Sequence, residues 1–562
     1  MEYEVLSPRA DVDPIEQIAL NPRLTDLNTA TIGLYTTFKA HWELILEEIA
    51  KQINDRYPGS KFTRFVYPKD LNSYTAWAEL SKDPEYLPRF EEWIKGVDAV
   101  VVANGDASSC TLYLTYNATF PEHLGKPTVL TVHEGFYALA KRAEELRGVP
   151  ALRTVKLDLL DLSQEPHLDR FVNEVIPQRV ADCIDEIIAG LTAALTEAEA
   201  AVPANPENTP RVAMKGNLDE VNAAFYASRW AYGMPVMPPT EEKVKELLTG
   251  TDLPPDYVVA KIPPLMGKAT VEKIAVNGAM AGCLPIHMPA LIAAVEATAD
   301  PAVWVEAYTC SLASWAPLLM INGPIRKDLD LGCGSSVLTP YHKGSAAIAH
   351  GLGLVIMNVG GVEEGLTDMG RFGHEGRFGI CIAENEEASP WEPMHVYYGL
   401  QPEDSAVTMS WPNTRNIFTL PENFQTILRF ICDRVPAFGF DPGCTLILSP
   451  ALAKFLHANG FSRKNLVDYL VEYARIPAGN RNMRWWTGNH HEPPDDIPLP
   501  LGETTSVRKF WSARHLPVVV AGGPGMGIAL YDGGGDHGGP ITKKMQLPKN
   551  WDELAARYAV KR

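Results

Sequence analysis

The sequence predicts an α/β protein: two Rossmann-like lobes with mostly parallel sheets, preceded by an N-terminal arm. Three observations carry this. Apolar runs of strand type alternate with segments of helical spacing from residue 31 to about 195. Two apolar runs, at 98–103 and 517–521, stop abruptly at small residues, as a buried parallel strand does on entering a turn. The chain has 562 residues, more than one ordinary core absorbs, so two or more domains are expected.

The elements come in the following order. Residues 1–30 are polar and contain proline, which predicts an arm lying over the body. Helical spacing at 35–55 precedes a strand at 61–67. A helix at 84–95 leads into the strand 98–103. A helix from about Thr111 and a strand at 127–132 come next, and an amphipathic pattern covers 173–195. Such alternation implies a parallel sheet covered by helices, with ligands beyond the carboxyl ends of its strands. This lobe is assigned 31–197. The Ala-, Glu-, Pro- and Asn-rich stretch within 198–212 reads as a linker, and 213–562 as a larger α/β domain. In that domain 271–282 and 289–298 read as helices. The run 352–358 reads as a strand or a buried helix end. Gly and Pro crowd 522–540, predicting a functional surface loop.

Composition excludes several classes. The net charge of −19 argues against general nucleic-acid binding, which needs basic surface. No window approaches the roughly 18 consecutive apolar residues of a membrane span. The start, Met1-Glu-Tyr-Glu-Val, has no apolar signal core, so a cytoplasmic protein is expected. The eight cysteines form no C-x-x-C pair, which disfavours a zinc ribbon or a disulfide framework. The 12 Trp and 20 Tyr would serve a homo-oligomer interface or fill cores equally well.

The turn Asn104-Gly105-Asp106-Ala107-Ser108-Ser109-Cys110 is the sharpest chemical signal. A thiol in the first turn of a helix meets unpaired backbone N–H groups and the positive end of the dipole, which favour thiolate. Cys110 is therefore the nucleophile candidate, against the bland reading of a small residue packed under the sheet. Asn104, Gly105, Ser108 and Ser109 are read as substrate-binding, the serines as caps or anion ligands. His133 comes directly after the next strand and could share the crevice. In the larger domain Glu384 and Glu386, directly after the apolar Cys381-Ile-Ala383, are read with His395 as general acid–base groups. The alternative is a solvated acidic turn. Cys283 is a second thiol candidate, with a buried structural role as the alternative. Lys273 and Asn277, one helical turn apart, and Arg326 are read as anchors for an anionic substrate. Gly523 and Gly525 of Gly522-Gly-Pro-Gly-Met-Gly527 are read as a close backbone approach to substrate. The loop lacks both the G-x-G-x-x-G spacing and the Lys-Ser/Thr of a P-loop. No cofactor motif is present. A divalent metal on His490, His491 and His537 is the one metal option, without a recognisable ligand motif.

The turn Gly105-Asp-Ala-Ser-Ser-Cys-Thr111 resembles the signature of the UGSC-type (seleno)protein family, a selenocysteine or cysteine followed by Gly-Ser-Cys. Similar blocks are read in 233–242, 261–264, 269–277, 280–283, 321–327 and 381–392. The resemblance implies thiol or selenol redox chemistry, loosely like the glycine reductase group. The redox pair would occupy positions 107 and 110, and position 107 is Ala. A local disulfide or selenenylsulfide is thereby lost, and non-redox work by Cys110 fits better. The sequence thus points to an enzyme acting on a small, anionic metabolite between the lobes, cleaving or forming a carbon–heteroatom bond. A thiol/selenol oxidoreductase and a non-catalytic binding or assembly subunit are the alternatives.

Overall fold

The computed structural model describes residues 1–36, 40–65, 79–105, 107–159, 170–420, 423–435, 443–477, 506–510, 512–534 and 538–560. The chain divides into two compact units. The small unit is built on residues 14–206, the large unit on 1–13, 207–478 and 503–562.

The small unit is the alternating β/α segment. Its sheet contains β2 (Thr31–Tyr35), β3 (Lys61–Arg64), β4 (Ala99–Gly105), β5 (Thr128–Val132) and β6 (Arg153–Lys156). All four pairings are parallel and the order is β3-β2-β4-β5-β6. Counted within the sheet this is 2-1-3-4-5, a doubly wound order whose switch point lies between β2 and β4. Every residue of β4 and β5 is buried, which is why both read as unbroken apolar runs. Helices α1 (Ala40–Arg56) and α5 (Ile176–Thr192) pack together on one face. Gly190 of α5 lets it press onto β5, since a Cβ there would sit 2.6 Å from Val129. On the other face lie α2 (Leu87–Lys95), α3 (Ser108–His123) and α4 (Tyr137–Glu145), over a core of Phe90, Val100, Leu114 and Leu130. Almost all of α3 is buried. Its last turn carries Glu122, whose buried carboxylate pairs with Arg23 at 2.8 Å and accepts from Asn21 and Thr128.

The large unit is also α/β, but parallel pairing is partial. One sheet has the order β11-β10-β12-β19, from β10 (Leu318–Asn322), β11 (Ile380–Ala383), β12 (Ala406–Ser410) and β19 (Ile541–Lys544). Only β10 and β11 are parallel in it. The other has the order β13-β18-β14-β17, from β13 (Thr414–Thr419), β14 (Cys444–Leu448), β17 (Val518–Val520) and β18 (Gly527–Asp532). Here β14 and β17 are parallel, joined through α9 (Pro450–Ala458) and α10 (Arg463–Tyr473), while β18 and β13 run antiparallel. Small antiparallel pairs are β8 (Val258–Ile262) with β9 (Gly267–Thr270) and β15 (Arg475–Pro477) with β16 (Ser506–Arg508). The core is helical around α6 (Val271–Met280), α7 (Met288–Thr298) and α8 (Lys343–Asn358). The apolar run 352–358 is thus the end of α8, not a strand. Among the described residues no helix is long and apolar enough to cross a membrane.

The expected arm is divided between the units. β1 (Tyr3–Leu6) pairs antiparallel with β7 (Val212–Gly216) in the large unit, and residues 14–30 belong to the small one. The boundary at 206/207 falls inside the segment read as a linker. Part of that segment is folded back, because Glu199 accepts from Arg153 at 2.8 Å.

Lys273 and Asn277 hold the start of the chain instead of a substrate. Lys273 Nζ donates to Ser7 O at 2.8 Å and Asn277 Nδ2 to Pro8 O at 3.1 Å. Asn277 Oδ1 accepts from Asn358 at 2.8 Å. Asn277→Ala would leave buried polar groups unpaired, at about 1–3 kcal/mol. The expected result is faster hydrogen exchange in β1 than in β10, with a lower denaturant midpoint; unchanged exchange in β1 would contradict the clamp.

Candidate functional site

In the large unit the acidic turn after β11, read as acid–base groups or a solvated turn, is a buried knot of hydrogen bonds. Glu384 is fully buried. Its Oε1 accepts from Arg463 Nη2 at 2.6 Å, and its Oε2 from Asn322 Nδ2 at 2.6 Å and Met394 N at 2.7 Å. Arg463, at the start of α10, also donates to the carbonyls of Val518 and Glu392. The pair therefore ties β10, β11, β17 and α10 together. Glu386 accepts from Gly323 N at 2.7 Å and Arg326 Nη2 at 2.9 Å. Arg326 is buried and reaches Glu387 and the Glu384 carbonyl as well, so it has no open face for an anionic substrate. Beside it Glu387 is held below the usual carboxylate range. His395 is fully buried; Nε2 lies 3.1 Å from Gln401 O, and Nδ1 has no partner among the described residues. It shares no hydrogen bond with either acid. Val520 N also donates to Glu384 Oε1, at 3.4 Å, so each oxygen of Glu384 already meets two donors and leaves no vacancy for a substrate proton.

Cys283 is likewise structural. It is completely buried, its Sγ meets Ala347 O at 3.3 Å, and burial pushes its thiol up to about 12. Such a thiol stays protonated at neutral pH. Gly523 and Gly525 lie in the turn between β17 and β18, at the carboxyl end of β17. His490, His491 and His537 fall outside the described residues.

Three buried histidines of this unit make it acid-sensitive. Burial lowers His287 to about 3, and His350 and His515 to about 4. Unfolded histidine titrates near 6.5. Below that value the unfolded chain takes up protons that the native unit refuses. Stability is therefore complete above pH 6.5 and falls as pH drops toward 4. Melting at pH 5 is expected at least about 5 °C below that at pH 7.5; equal values would contradict the burial of neutral imidazoles.

The small unit presents a different picture at the carboxyl edge of its parallel sheet. β4 ends in Asn104-Gly105 and α3 begins at Ser108. The approach is tight: a Cβ on Gly105 would lie 2.8 Å from both Thr111 Cγ2 and Oγ1. Only glycine permits this packing. The N-cap is Ala107, in extended conformation and without a side-chain cap. The expected capping serines instead occupy the first two helical positions. The amides of Ser108 and Ser109 thus have no intrahelical acceptor. Cys110 is the third residue of this 16-residue helix and 5% exposed. Its position combines the dipole of a long helix with a site nearly closed to bulk water.

Asn104 is fully buried. Its Nδ2 donates to Leu157 O, just after β6, at 3.4 Å, and its Oδ1 has no partner among the described residues. The hydroxyls of Thr36, Thr111 and Thr131 are also buried without partners among the described residues. Thr36 directly follows β2, across the switch point from Asn104 and Gly105. Buried oxygens are normally hydrogen-bonded, so this set is unusual. His133 follows β5; its Nδ1 accepts from Gly135 N at 2.9 Å and its Nε2 pairs with Asp158. Both ring nitrogens are engaged, so His133 fixes the turn and the ring proton faces Asp158.

Residues 4–193 match the model of the UGSC family. The match covers these residues only, and they are the UGSC segment of the chain. No curated protein matches it significantly. The UGSC segment contains the entire parallel sheet and the Cys110 turn. The similar blocks read between 233 and 392 lie outside the matched residues.

Within the UGSC segment position 107 is the N-cap of α3, three residues before Cys110, and its methyl group offers no sulfur. Cys110 belongs to the small unit and Glu384 to the large one. Sequence reasoning missed Asp158 as the partner of His133, and Arg463 as the partner of Glu384. No local pattern marks either, since both pairings are set by strand order.

Proposed function

We propose that the UGSC segment is the catalytic lobe of an enzyme acting on a small anionic metabolite. The thiolate of Cys110 attacks an electrophilic carbon, the carbon–heteroatom bond breaks with its electron pair leaving on the heteroatom group, which takes up a proton, and a second heteroatom nucleophile (water or an acceptor substrate) then bonds to the same carbon and releases the thiolate. The observation that carries this reading is the Cys110 turn itself. The cysteine sits in the first turn of a long helix whose N-cap, Ala107, supplies no side-chain cap, at the switch-point edge of a parallel sheet, and the preceding strand carries Asn104, whose buried Oδ1 has no partner among the described residues. Amides without an intrahelical acceptor, at Ser108 and Ser109, are suited to an anion. Attack by one thiolate with departure of a heteroatom needs no second sulfur, which agrees with Ala107. A lyase or transferase is therefore favoured over a disulfide oxidoreductase. Glu384, Glu386, Cys283, Lys273 and Arg326 have no part in this reading, because each is committed inside the large unit. We assign the enzyme to the cytoplasm, in keeping with eight cysteines none of which is in a disulfide.

The test compares wild type with Cys110→Ser on a pool of small carboxylate and phosphate metabolites followed by mass spectrometry. Wild type alone is expected to consume a subset, with both proteins melting alike. Equal consumption by both removes the nucleophile. Consumption by neither favours a non-catalytic binding subunit.

A further inference from the structure

The large unit carries a cavity of about 350 Å³ that owes nothing to the Cys110 turn. It opens at the carboxyl ends of the parallel pair β14 and β17, where Ser449 and Ala521 follow the two strands. Crevices at this position are where α/β sheets place ligands. Its third wall is the glycine loop 522–527, and its fourth is β13.

The loop is preformed. Ser449 Oγ donates to Gly525 O at 2.7 Å and accepts from Gly527 N at 3.0 Å. Gly523 lies against Ser335, where a Cβ would come within 2.5 Å of Oγ. Gly525 has φ +93°, a conformation that side-chain-bearing residues rarely adopt. Gly522 donates its amide to Cys333 O at 2.9 Å. Between these anchored points the amides of Gly523 and Gly525 have no acceptor among the described residues, so they are donors available to a ligand.

The remaining lining decides the ligand's charge. Val337, Leu338, Ile417, Ile447 and Ala529 supply apolar surface, and among the described residues no ionisable side chain lines the cavity. Ile417 stands 63% exposed on β13, an apolar side chain left toward water where it borders the cavity. An anion would find the loop amides but no countercharge, and the helix that starts at the rim, α9, has proline in its first turn and its Leu452 amide already capped by Ser449, so an anion's desolvation would be offset only in part. A neutral molecule gains from the apolar walls and loses little.

We infer that this cavity is a binding site for an uncharged small molecule with an apolar body and one oxygen acceptor of carbonyl type. The body packs on Ile417, Ile447 and Ala529, which share one face of the sheet, and the oxygen accepts from the glycine-loop amides. This site is separate from the anionic-metabolite site assigned to the UGSC segment, and it stands whether or not Cys110 is a nucleophile.

The probe is 6-propionyl-2-dimethylaminonaphthalene, an uncharged, environment-sensitive ketone, added to the full-length protein. Saturable, one-to-one binding with blue-shifted emission is expected. Ile417→Glu, at an exposed position, is expected to weaken binding at least tenfold. Val212→Glu, a substitution on β7 away from the lining, is expected to leave it unchanged. Hydrogen exchange across 522–527 should slow in the presence of the probe. Non-saturable binding, equal affinity in Ile417→Glu and wild type, or unaltered exchange in the loop would each overturn the site. Displacement of the probe by millimolar inorganic phosphate would overturn the uncharged class.

Discussion

Replacing Arg463 with alanine is expected to destabilise the large unit by about 3–5 kcal/mol, the usual consequence of stranding a buried charge. Glu384 is fully buried, and Arg463 supplies the charge that balances it. The same guanidinium satisfies the carbonyls of Val518 and Glu392, so three acceptors lose a donor at once. Trp391 lies 5.8 Å from the guanidinium and reports the change by fluorescence during urea unfolding. Glu384→Gln should be milder. It keeps acceptors for Asn322 and the Met394 amide, but leaves Arg463 without a countercharge. Replacing both members by methionine should recover part of the loss, because a vacated apolar pocket costs less than one uncompensated ion. A loss below about 1 kcal/mol in Arg463→Ala would mean that water already reaches Glu384, and would restore it as an acid–base candidate.

Cys110→Ser is expected to lower turnover by at least about a thousandfold while leaving the melting temperature nearly unchanged. A serine hydroxyl fits the same space but is hardly ionised at neutral pH, so the helix dipole has no anion to stabilise. The replacement is nearly isosteric, and α3 gains no charge, cavity or lost cap from it. Stability and turnover therefore report different roles. A purely packing role would leave turnover intact, whereas a nucleophilic role removes it and spares the fold.

Much of the small unit was legible because its period and its burial agree. β4 and β5 are apolar throughout and lie inside a sheet covered on both faces, so the apolar runs and the strands end together. The placement of Cys110 rests on the same logic: an apolar run closing on Asn104-Gly105 must turn, and a parallel strand normally hands over to a helix. The large unit was less legible. Strand direction depends on connections made far along the chain, so β12, β13, β18 and β19 could not be recognised as antiparallel from local pattern. Pairing of β1 with β7 joins the first residues of the chain to Val212–Gly216. The burial of Glu384 was hidden for the same reason. An acid directly after an apolar strand marks either a crevice or a buried ion pair, and its partner, Arg463, lies 79 residues away. Lys273 and Asn277 are instructive for the opposite reason. They do share a helix face, as their spacing implies, but the carbonyls they recognise belong to Ser7 and Pro8 of the same chain.

The nucleophile claim is tested most directly by the alkylation rate of Cys110 in the native protein as a function of pH, read by peptide mapping after iodoacetamide. The prediction is half-maximal labelling at a pH well below the value of about 8.5 for a free thiol. Labelling that rises only at or above that pH, or a Cys110 that stays unlabelled until the protein unfolds, would contradict it.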